Sequence, residues 1–214
     1  MLEITSLTPE LVDDYICFFS DTNSYAEDEW SYCYCLHYLL DNAWYKENAE
    51  IIDTLDSAKM AHEYVASGRI KGYLAYQDGV PVGWCAANEK RNYPRLIERK
   101  DLWAENDPDK TLAIVCFAVS RPCRRQGIAS ALLDFCILDA KSRGFAAIEA
   151  YPQIGGQSEC RKYHGFVSMY EQRGFEKVRT LDDWIVMRKL LNEASVSGGQ
   201  VTDTLYSYSI PIKA

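Results

Sequence analysis

Residues 111–143 read TLAIVCFAVSRPCRRQGIASALLDFCILDAKSR, and three patterns follow one another in this stretch without a gap. Residues 111–119 form a continuous apolar run, which is typical of a buried central strand. Residues 120–126 form a short polar turn that is rich in arginine. From Gly127 to Arg143, apolar residues recur on one face of a helix, which predicts an amphipathic helix. The stretch therefore predicts a strand, a tight turn and a helix.

The turn between this strand and this helix is suited to bind an anion. The first N–H groups of a helix lack intrahelical partners, and the helix dipole adds positive potential at the same place. Gly127 allows close approach of the backbone to a ligand. Arg121, Arg124 and Arg125 gather at this turn in a chain whose net charge is -8. Alternatively, Arg124 and Arg125 are a solvated surface pair and Gly127 is only a helix-start glycine.

The turn matches neither of the two common glycine-rich nucleotide motifs. It lacks the G-x-G-x-x-G pattern of dinucleotide-binding folds and the G-x-x-x-x-G-K-[ST] pattern of P-loops. The pattern therefore favours a bound phosphate group without indicating a nucleoside triphosphate.

The elements on either side extend this unit into an α/β fold. Upstream, a short strand and helices, one of them expected at 51–67, precede two strand-like runs. These runs flank Asp78-Gly79, which is the strongest short signal for a hairpin, and a polar connector at 88–110 follows them. Downstream, the sequence predicts a strand at 145–151, a helix at 159–173 that is broken or bent near Gly165, and closing strands at 175–179 and 184–190. This order predicts a mixed central sheet with parallel crossover units near its middle.

The length and composition favour one principal domain. We expect residues 1–191 to form a single domain. Residues 192–214 begin with many Ser, Gly and Thr residues and are expected to form a C-terminal tail, with a short strand at 205–210.

Two segments resemble the GNAT superfamily of N-acetyltransferases. Residues 124–129, Arg-Arg-Gln-Gly-Ile-Ala, are similar to its Gln/Arg-x-x-Gly-x-Gly/Ala signature, and the apolar strand before them and the amphipathic helix after them agree with it. Residues 169–175, with Tyr170 followed by Gly174-Phe175, resemble the common ending of the superfamily. The hairpin at Asp78-Gly79 also lies where the superfamily places one. The resemblance extends over about 72–190, and over 2–67 only in the order of elements.

The resemblance implies a soluble acyltransferase that uses acetyl-CoA as co-substrate. The strand equivalent to 145–151 would splay away from the central strand and open a slot for the acyl group. Residues 152–170 contain no Asn, although the family often places a cofactor-contacting Asn early in the helix of this region. The pantetheine arm would pair with the backbone of the central strand at Phe117, Ala118 and Val119. The pyrophosphate would be held by the turn and the helix start, at Arg124, Arg125, Gln126, Gly127, Ile128, Ala129 and Ser130.

Amide formation needs a neutral amine, a place for negative charge and a proton for the departing thiolate. Tyr170 matches the tyrosine that the family often uses to protonate this thiolate, so it is the candidate general acid; packing against the sheet is the alternative. Glu149 lies on the strand that would line the slot and is the candidate base, acting directly or through water. A solvated strand carboxylate is an equally simple interpretation of Glu149.

The predicted function is therefore transfer of an acetyl group from acetyl-CoA to a primary amine, by direct attack in a ternary complex. The acceptor would be a small molecule or a peptide. The alternative is a non-catalytic module that binds acyl-CoA and regulates another protein. Homodimers are common in the superfamily, which is the basis for expecting one here.

Charge and hydropathy exclude other classes of protein. A net charge of -8 argues against a nucleic-acid partner. No run of about eighteen apolar residues is present, so no membrane partner is expected. The first residues lack the basic and apolar regions of a signal peptide, which favours a cytoplasmic location.

The cysteine and aromatic residues leave further alternatives. Cys33, Cys35 and His37 are spaced more narrowly than typical zinc ligands, so we expect no metal site and place them in the acceptor pocket or the core. Cys116 and Cys123 flank the cofactor segment and raise a covalent acyl-cysteine route, but no base accompanies either in the sequence. The aromatic stretch 30–45, preceded by acidic residues 27–29, could hold a cationic amine. Ordinary core packing explains at least half of these rings.

Overall fold

The computed structural model describes residues 1–20, 33–48, 56–103, 107–154 and 163–191, together with the backbone of a strand at 208–210. The strands are β1 (Leu2–Ser6), β2 (Gly72–Gln77), β3 (Val80–Glu89), β4 (Thr111–Val119), β5 (Ala147–Ala150), β6 (Glu176–Leu181), β7 (Trp184–Leu190) and β8 (Tyr208–Ile210). The helices are α1 (Val12–Ser20), α2 (Asn42–Glu47), α3 (Ser57–Ala66), α4 (Pro94–Glu98), α5 (Ile128–Ser142) and α6 (Val167–Glu171). Short 3-10 helices occur at Pro9–Leu11, Leu36–Leu39, Lys90–Asn92, Lys100–Leu102 and Arg121–Cys123.

All the strands belong to one sheet, in the order β6-β7-β5-β4-β3-β2-β1-β8. Neighbouring strands are antiparallel except β4 and β5, which are parallel and are joined through α5. The predicted mixed α/β fold is thus confirmed. The short strand expected within 205–210 is present as β8, which pairs with β1.

The parallel strands β4 and β5 are paired over only part of the length of β4. Their register ends where Ile114 lies beside Ala150, whereas β4 continues to Val119. Over the same distance β4 remains paired with β3 on its other side, as far as Gly83 opposite Val119. The two strands therefore diverge after Ile114, which confirms the predicted splayed pair.

A β-bulge in β4 lies at the start of this divergence. The pairing of β3 with β4 shifts between Ala86 and Ala87, so that Ala87 lies opposite Ile114, Ala86 lies opposite Cys116, and Val115 is skipped. Such a bulge bends the strand and redirects its side chains. The bend occurs one residue beyond the last pair that joins β4 to β5.

Apolar side chains cover both faces of the sheet. On one face, Leu112, Ile114 and Phe117 of β4 pack in a cluster with residues of α5 such as Leu132. On the other face, a second cluster contains Val115 of β4 together with aromatic residues of α1 and of the segment before α2. The strand β4 is consequently buried on both sides, as its continuous apolar sequence predicted.

The hairpin between β2 and β3 turns at Asp78 and Gly79. Their φ angles are 52° and 80°, which is the pair of positive values that a two-residue type I′ turn requires. The prediction of a hairpin at this dipeptide is confirmed.

Four segments differ from the sequence-based expectation or lie partly or wholly outside the described residues. The connector at 88–110 contains α4 and two 3-10 helices. Of the helix expected at 159–173, residues 167–171 form α6, and Gly165, where the break was expected, has a φ of 76°. Residues 155–162 lie outside the described part. Of the helix expected at 51–67, residues 57–66 form α3, and residues 49–55 are not described. Residues 21–32, which include Trp30 and the acidic group before it, are also outside this part.

Within the described ranges, none of the helices combines the length and apolarity needed to cross a bilayer.

Helix α5 lies close to the sheet because β3 carries a glycine beneath it. A Cβ atom added to Gly83 would lie 2.7 Å from Cγ2 of Ile128 and 3.3 Å from Cδ1 of Leu132. Both of these side chains are almost fully buried, so they have little room to move. Gly83 thus fixes the distance between the start of α5 and the sheet.

We expect Gly83→Ala to lower the free energy of unfolding by about 1–3 kcal/mol, because overpacking in a close-packed core displaces its neighbours. Urea denaturation measures this change. Val80→Ala on the same strand is the control, since Val80 is 59% exposed, and it should change the stability little. Equal stability of Gly83→Ala and the parent chain would show that the helix can move away at no cost.

Candidate functional site

A cleft with a volume of about 400 Å³ opens between the end of β4, the start of α5 and helix α6. Eight of the ten residues predicted to bind the cofactor line this cleft: Phe117, Val119, Arg124, Arg125, Gly127, Ile128, Ala129 and Ser130. The opposite wall comes from α6 and the residues before it, and comprises Gly165, Phe166, Ser168, Met169 and Gln172. The structure therefore brings most of the predicted binding segment together at one site.

The remaining two residues of the predicted set, Ala118 and Gln126, are not among the lining residues. The side chain of Ala118 packs in the cluster on the other face of the sheet, so only its backbone could contact a ligand. The amide of Gln126 donates to the carbonyl of Pro122 at 3.0 Å. That bond holds the Gln126 side chain against its own turn.

The turn before α5 has the backbone shape of an anion site. Arg125 and Gly127 have φ angles of 67° and 85°, and a positive φ at a residue other than glycine is uncommon and costs energy. Successive N–H groups in such a turn converge on one point. Gly127 is also the N-cap of α5, and the first helical hydrogen bond runs from Ala131 N–H to the Gly127 carbonyl at 2.9 Å.

The arginine side chains of this turn have different surroundings. Nε of Arg124 donates to the carbonyl of Val119 at 3.0 Å, which ties the turn to the end of β4. Arg124 and Arg125 both line the cleft. The cleft thus combines cationic and N–H donor groups at one end with apolar side chains such as Phe117 and Ile128 along its wall, which suits a molecule with a phosphate group and a long flexible arm.

The end of β4 lines this cleft with Phe117 and Val119. Beyond Ile114 the β5-facing edge of this strand has left β5, and backbone groups on a strand edge require hydrogen-bond partners. An extended ligand that carries amide groups could pair with this edge as a strand does. The residues present therefore fit the pantetheine arm and pyrophosphate of coenzyme A.

Tyr170, the candidate general acid, lies behind the wall of the cleft. Its side chain is fully buried, and its hydroxyl donates to the carbonyl of His164 at 2.7 Å. A Cβ atom on Gly165 would lie 2.9 Å from this hydroxyl oxygen, and Gly165 also lines the cleft, so the phenol lies directly behind this glycine. Burial raises the pKa of Tyr170 well above its ordinary value, which keeps the phenol protonated.

Glu149, the candidate base, is fully buried in a network of charges and is not among the residues that line the cleft. Its Oε2 atom lies 2.8 Å from Nζ of Lys90 and accepts from the Tyr151 hydroxyl at 2.9 Å. Its Oε1 atom accepts from Nε of Arg188 at 2.8 Å. Asp107 joins the network through ion pairs with both Lys90 and Arg188. Two carboxylates and two cations thus neutralise one another below the point where β4 and β5 separate.

Sequence reasoning did not assign Ser168 or Gln172 to the site. Both line the cleft from α6 and the residue that follows it. Their spacing of four residues, which places two polar groups on one helical face just before Gly174-Phe175, is the signal that could have identified them.

The two cysteine groups meet in the structure, where the buried thiols of Cys35 and Cys116 form a side-chain hydrogen bond. Cys33 and His37 are exposed. Among the described residues, no cluster of three or more His, Cys, Asp or Glu side chains could hold a metal ion. Cys123 lines the cleft, and Cys116 is buried.

Comparison with known proteins bears on the identity of this fold. The sequence model of the Acetyltransferase (GNAT) family matches residues 8–175. A search of curated proteins found no match. An N-acetyltransferase structure from Staphylococcus aureus Mu50 has a TM-score of 0.50 and 16% identity, and the match covers 90% of this chain and 99% of that one. The ribosomal-protein-S18-alanine N-acetyltransferase of Escherichia coli has a TM-score of 0.50 and 14% identity, over 94% and 100% of the two chains.

At these identities the structural matches show a shared fold and nothing about the acceptor. The family match spans most of the chain, including the splayed strands, the turn before α5 and Tyr170. Taken with this geometry, it shows that the chain belongs to the GNAT acetyltransferase family, whose co-substrate is acetyl-CoA.

Proposed function

We propose that this protein transfers the acetyl group of acetyl-CoA to a primary amine by direct attack in a ternary complex. The observation that carries this proposal is the cleft that is lined by the cationic turn before α5, by the end of β4 beyond its last pair with β5, and by α6. Its cationic end suits a pyrophosphate. The acceptor would be a small molecule or a peptide that reaches the gap from the opposite face.

The contribution of the protein to this reaction is chiefly positioning. The N–H groups of the turn and the first residues of α5 would hold the pyrophosphate, and the free edge of β4 would hold the amides of the pantetheine arm. Gly127 and Ala129 carry no side chain or only a methyl group, so they leave room for the pyrophosphate at the start of the helix. Acetyl-CoA would supply the thioester, which the two splayed strands would orient toward the amine.

We assign the role of general acid to Tyr170. Attack by the amine forms the N–C bond, the C–S bond breaks, and the sulfur needs a proton. The Tyr170 hydroxyl holds a proton because its pKa is raised by burial, and Gly165 leaves it close to the cleft. In the present structure the hydroxyl points to the His164 carbonyl, so it would reorient toward the sulfur during the reaction.

The surroundings of Glu149 favour a role in positioning β5 beside β4 over a role as a base that contacts the amine. Both carboxylate oxygens are engaged by cations, and the Tyr151 hydroxyl occupies a further position on Oε2. A base must have a free lone pair within reach of the proton that it removes. The network instead holds the last paired residues of β5 beside β4.

Acetyl-CoA should stabilise the protein against thermal unfolding. A ligand at one hundred times its dissociation constant adds about 2.7 kcal/mol, which corresponds to a rise in Tm of roughly 5–11 °C for a chain of this size. Differential scanning fluorimetry measures the shift, with adenosine as the ligand control.

The matched variants for this experiment are Gly127→Val and Gly144→Val. Both glycines have positive φ angles, 85° and 67°, at opposite ends of α5, so both substitutions strain the backbone. Only Gly127 lines the cleft. Gly127→Val should abolish the shift in Tm caused by acetyl-CoA. Gly144→Val should lower the Tm of the protein without ligand but retain the shift caused by acetyl-CoA. Equal shifts in both variants would place the cofactor elsewhere.

Tyr170→Phe should lower kcat by about 100-fold, which is within the range for loss of an acid catalyst, and leave the KM for acetyl-CoA unchanged. Steady-state release of free CoA thiol measures both constants. Tyr73→Phe is the matched control, because it removes a buried hydroxyl whose partner is Asp139, away from the cleft. If both variants keep the parental kcat, Tyr170 is not the acid.

Glu149→Gln should lower the free energy of unfolding by about 3–5 kcal/mol, since it leaves buried cations without their full counter-charge. Urea denaturation measures this loss, and Glu176→Gln, on the exposed strand β6, should show none. A variant that keeps its stability but loses acetyl transfer would instead identify Glu149 as the base.

A further inference from the structure

The two helices that form opposite walls of the cleft are joined by a charged contact. Nε of Arg173 donates to Oδ1 of Asp134 at 2.5 Å, and Nη2 of Arg173 donates to Oδ2 of Asp134 at 2.9 Å. Asp134 lies on α5, and Arg173 lies two residues beyond the end of α6. Two parallel hydrogen bonds between a guanidinium and a carboxylate fix the direction of the contact as well as its distance.

Both residues of this pair lie next to residues that line the cleft. Asp134 follows Ser130, a lining residue, by four positions on α5, which places the two on the same side of the helix. Arg173 follows Met169, another lining residue, by four positions, and its Nη1 donates to the carbonyl of Met169 at 3.2 Å. The pair therefore joins the two walls one helical turn away from the cleft itself.

Arg173 is also fixed to the sheet. Its carbonyl accepts a hydrogen bond from Nζ of Lys189 on β7 at 2.7 Å. The side chain of Arg173 is 17% exposed and that of Asp134 is 47% exposed, so the guanidinium is largely shielded from water and salt. Such shielding makes the pair stronger than an ion pair between two fully solvated side chains. Arg173 thus forms a fixed point to which α5 is attached.

The wall that contains α6 depends on contacts of this kind for its position. Helix α6 is only five residues long, and it lies between Gly165 and Gly174, whose φ angles are 76° and 74°. A helix of this length is not stable by itself, so its neighbours determine where it lies. Tyr170 packs into the core on the inner side of α6, and Arg173 supplies the contact with the opposite wall.

We propose that Asp134 and Arg173 are positioning residues for the cofactor, because their contact sets the separation of the cleft walls and holds Ser168 and Gln172 within reach of acetyl-CoA. This inference rests on the proposed binding of acetyl-CoA in this cleft. Neither Asp134 nor Arg173 is among the lining residues, so both act through the walls. Without the contact, α6 spends part of the time too far from α5 to bind the ligand, and the apparent affinity falls in proportion.

Three variants test this role. Asp134→Asn keeps the shape of the side chain and removes its charge, whereas Arg173→Lys keeps the charge and removes the two parallel hydrogen bonds. We expect each of them to raise the Kd for acetyl-CoA by about 3–10-fold, as measured by isothermal titration calorimetry. The double variant Asp134→Arg with Arg173→Asp exchanges the two side chains across the same distance. Its Kd should return to within about twofold of the parental value.

Glu171→Gln is the matched control. It removes an ion pair between α6 and Lys177 of β6 and leaves the contact with α5 in place, so the Kd for acetyl-CoA should equal the parental value. Urea denaturation of every variant separates a change in affinity from a loss of folded protein.

The possible results distinguish this inference from the proposed function. If both single variants bind acetyl-CoA as tightly as the parent chain, or if the exchanged pair does not restore the affinity, the inference is wrong. If the variants behave as expected but the parent chain acetylates none of spermidine, lysine and a peptide with an N-terminal alanine, the positioning role stands and acetyl transfer to such amines is overturned. If the parent chain does not bind acetyl-CoA at millimolar concentration, the assignment of the cleft is overturned, and the role of the pair with it.

Discussion

The structure depends on one interruption in backbone hydrogen bonding, the end of the pairing between β4 and β5 after Ile114. The rest of β4 stays in the sheet through β3, so its other edge keeps N–H and C=O groups that need partners. A protein that buried this edge under another strand would gain stability and lose the site. The turn before α5 and the glycine beside Tyr170 line the same cleft as the end of β4.

Such an opening in the middle of a sheet has to be held apart by its surroundings. Below it, Lys90, Asp107, Glu149 and Arg188 form a buried network with equal numbers of positive and negative charges. The partners of a buried ion pair are much less free to separate than exposed ones. Above it, Gly83 allows α5 to lie close to β3. The network therefore anchors β5 beside β4 at the closed end of the gap, and the glycine sets the distance between the start of α5 and the sheet.

The sequence predicted the parts of the site that are local in the chain. The turn, the glycine and the helix start are adjacent residues, and eight of ten predicted binding residues line the cleft. The surroundings of Glu149 were not predictable in this way, because its partners Lys90 and Arg188 come from distant elements. The break in the helix expected at 159–173 was predictable, because Gly165 is the residue whose φ is positive there. The contact between Nε2 of His164 and the Tyr38 hydroxyl joins residues 126 positions apart, which no local pattern indicates.

The strand β8 also affects how the sheet can meet other molecules. Residues 208–210 occupy the outer edge of β1, where an exposed strand would otherwise offer a template for pairing with another chain. The opposite edge, β6, carries Glu176, Lys177 and Arg179 along six residues. One border of the sheet is thus covered by a very short strand and the other is charged. Growth of the sheet by addition of a second copy is disfavoured at both borders, and the gap beside β4 is left as the edge best suited to receive an extended ligand.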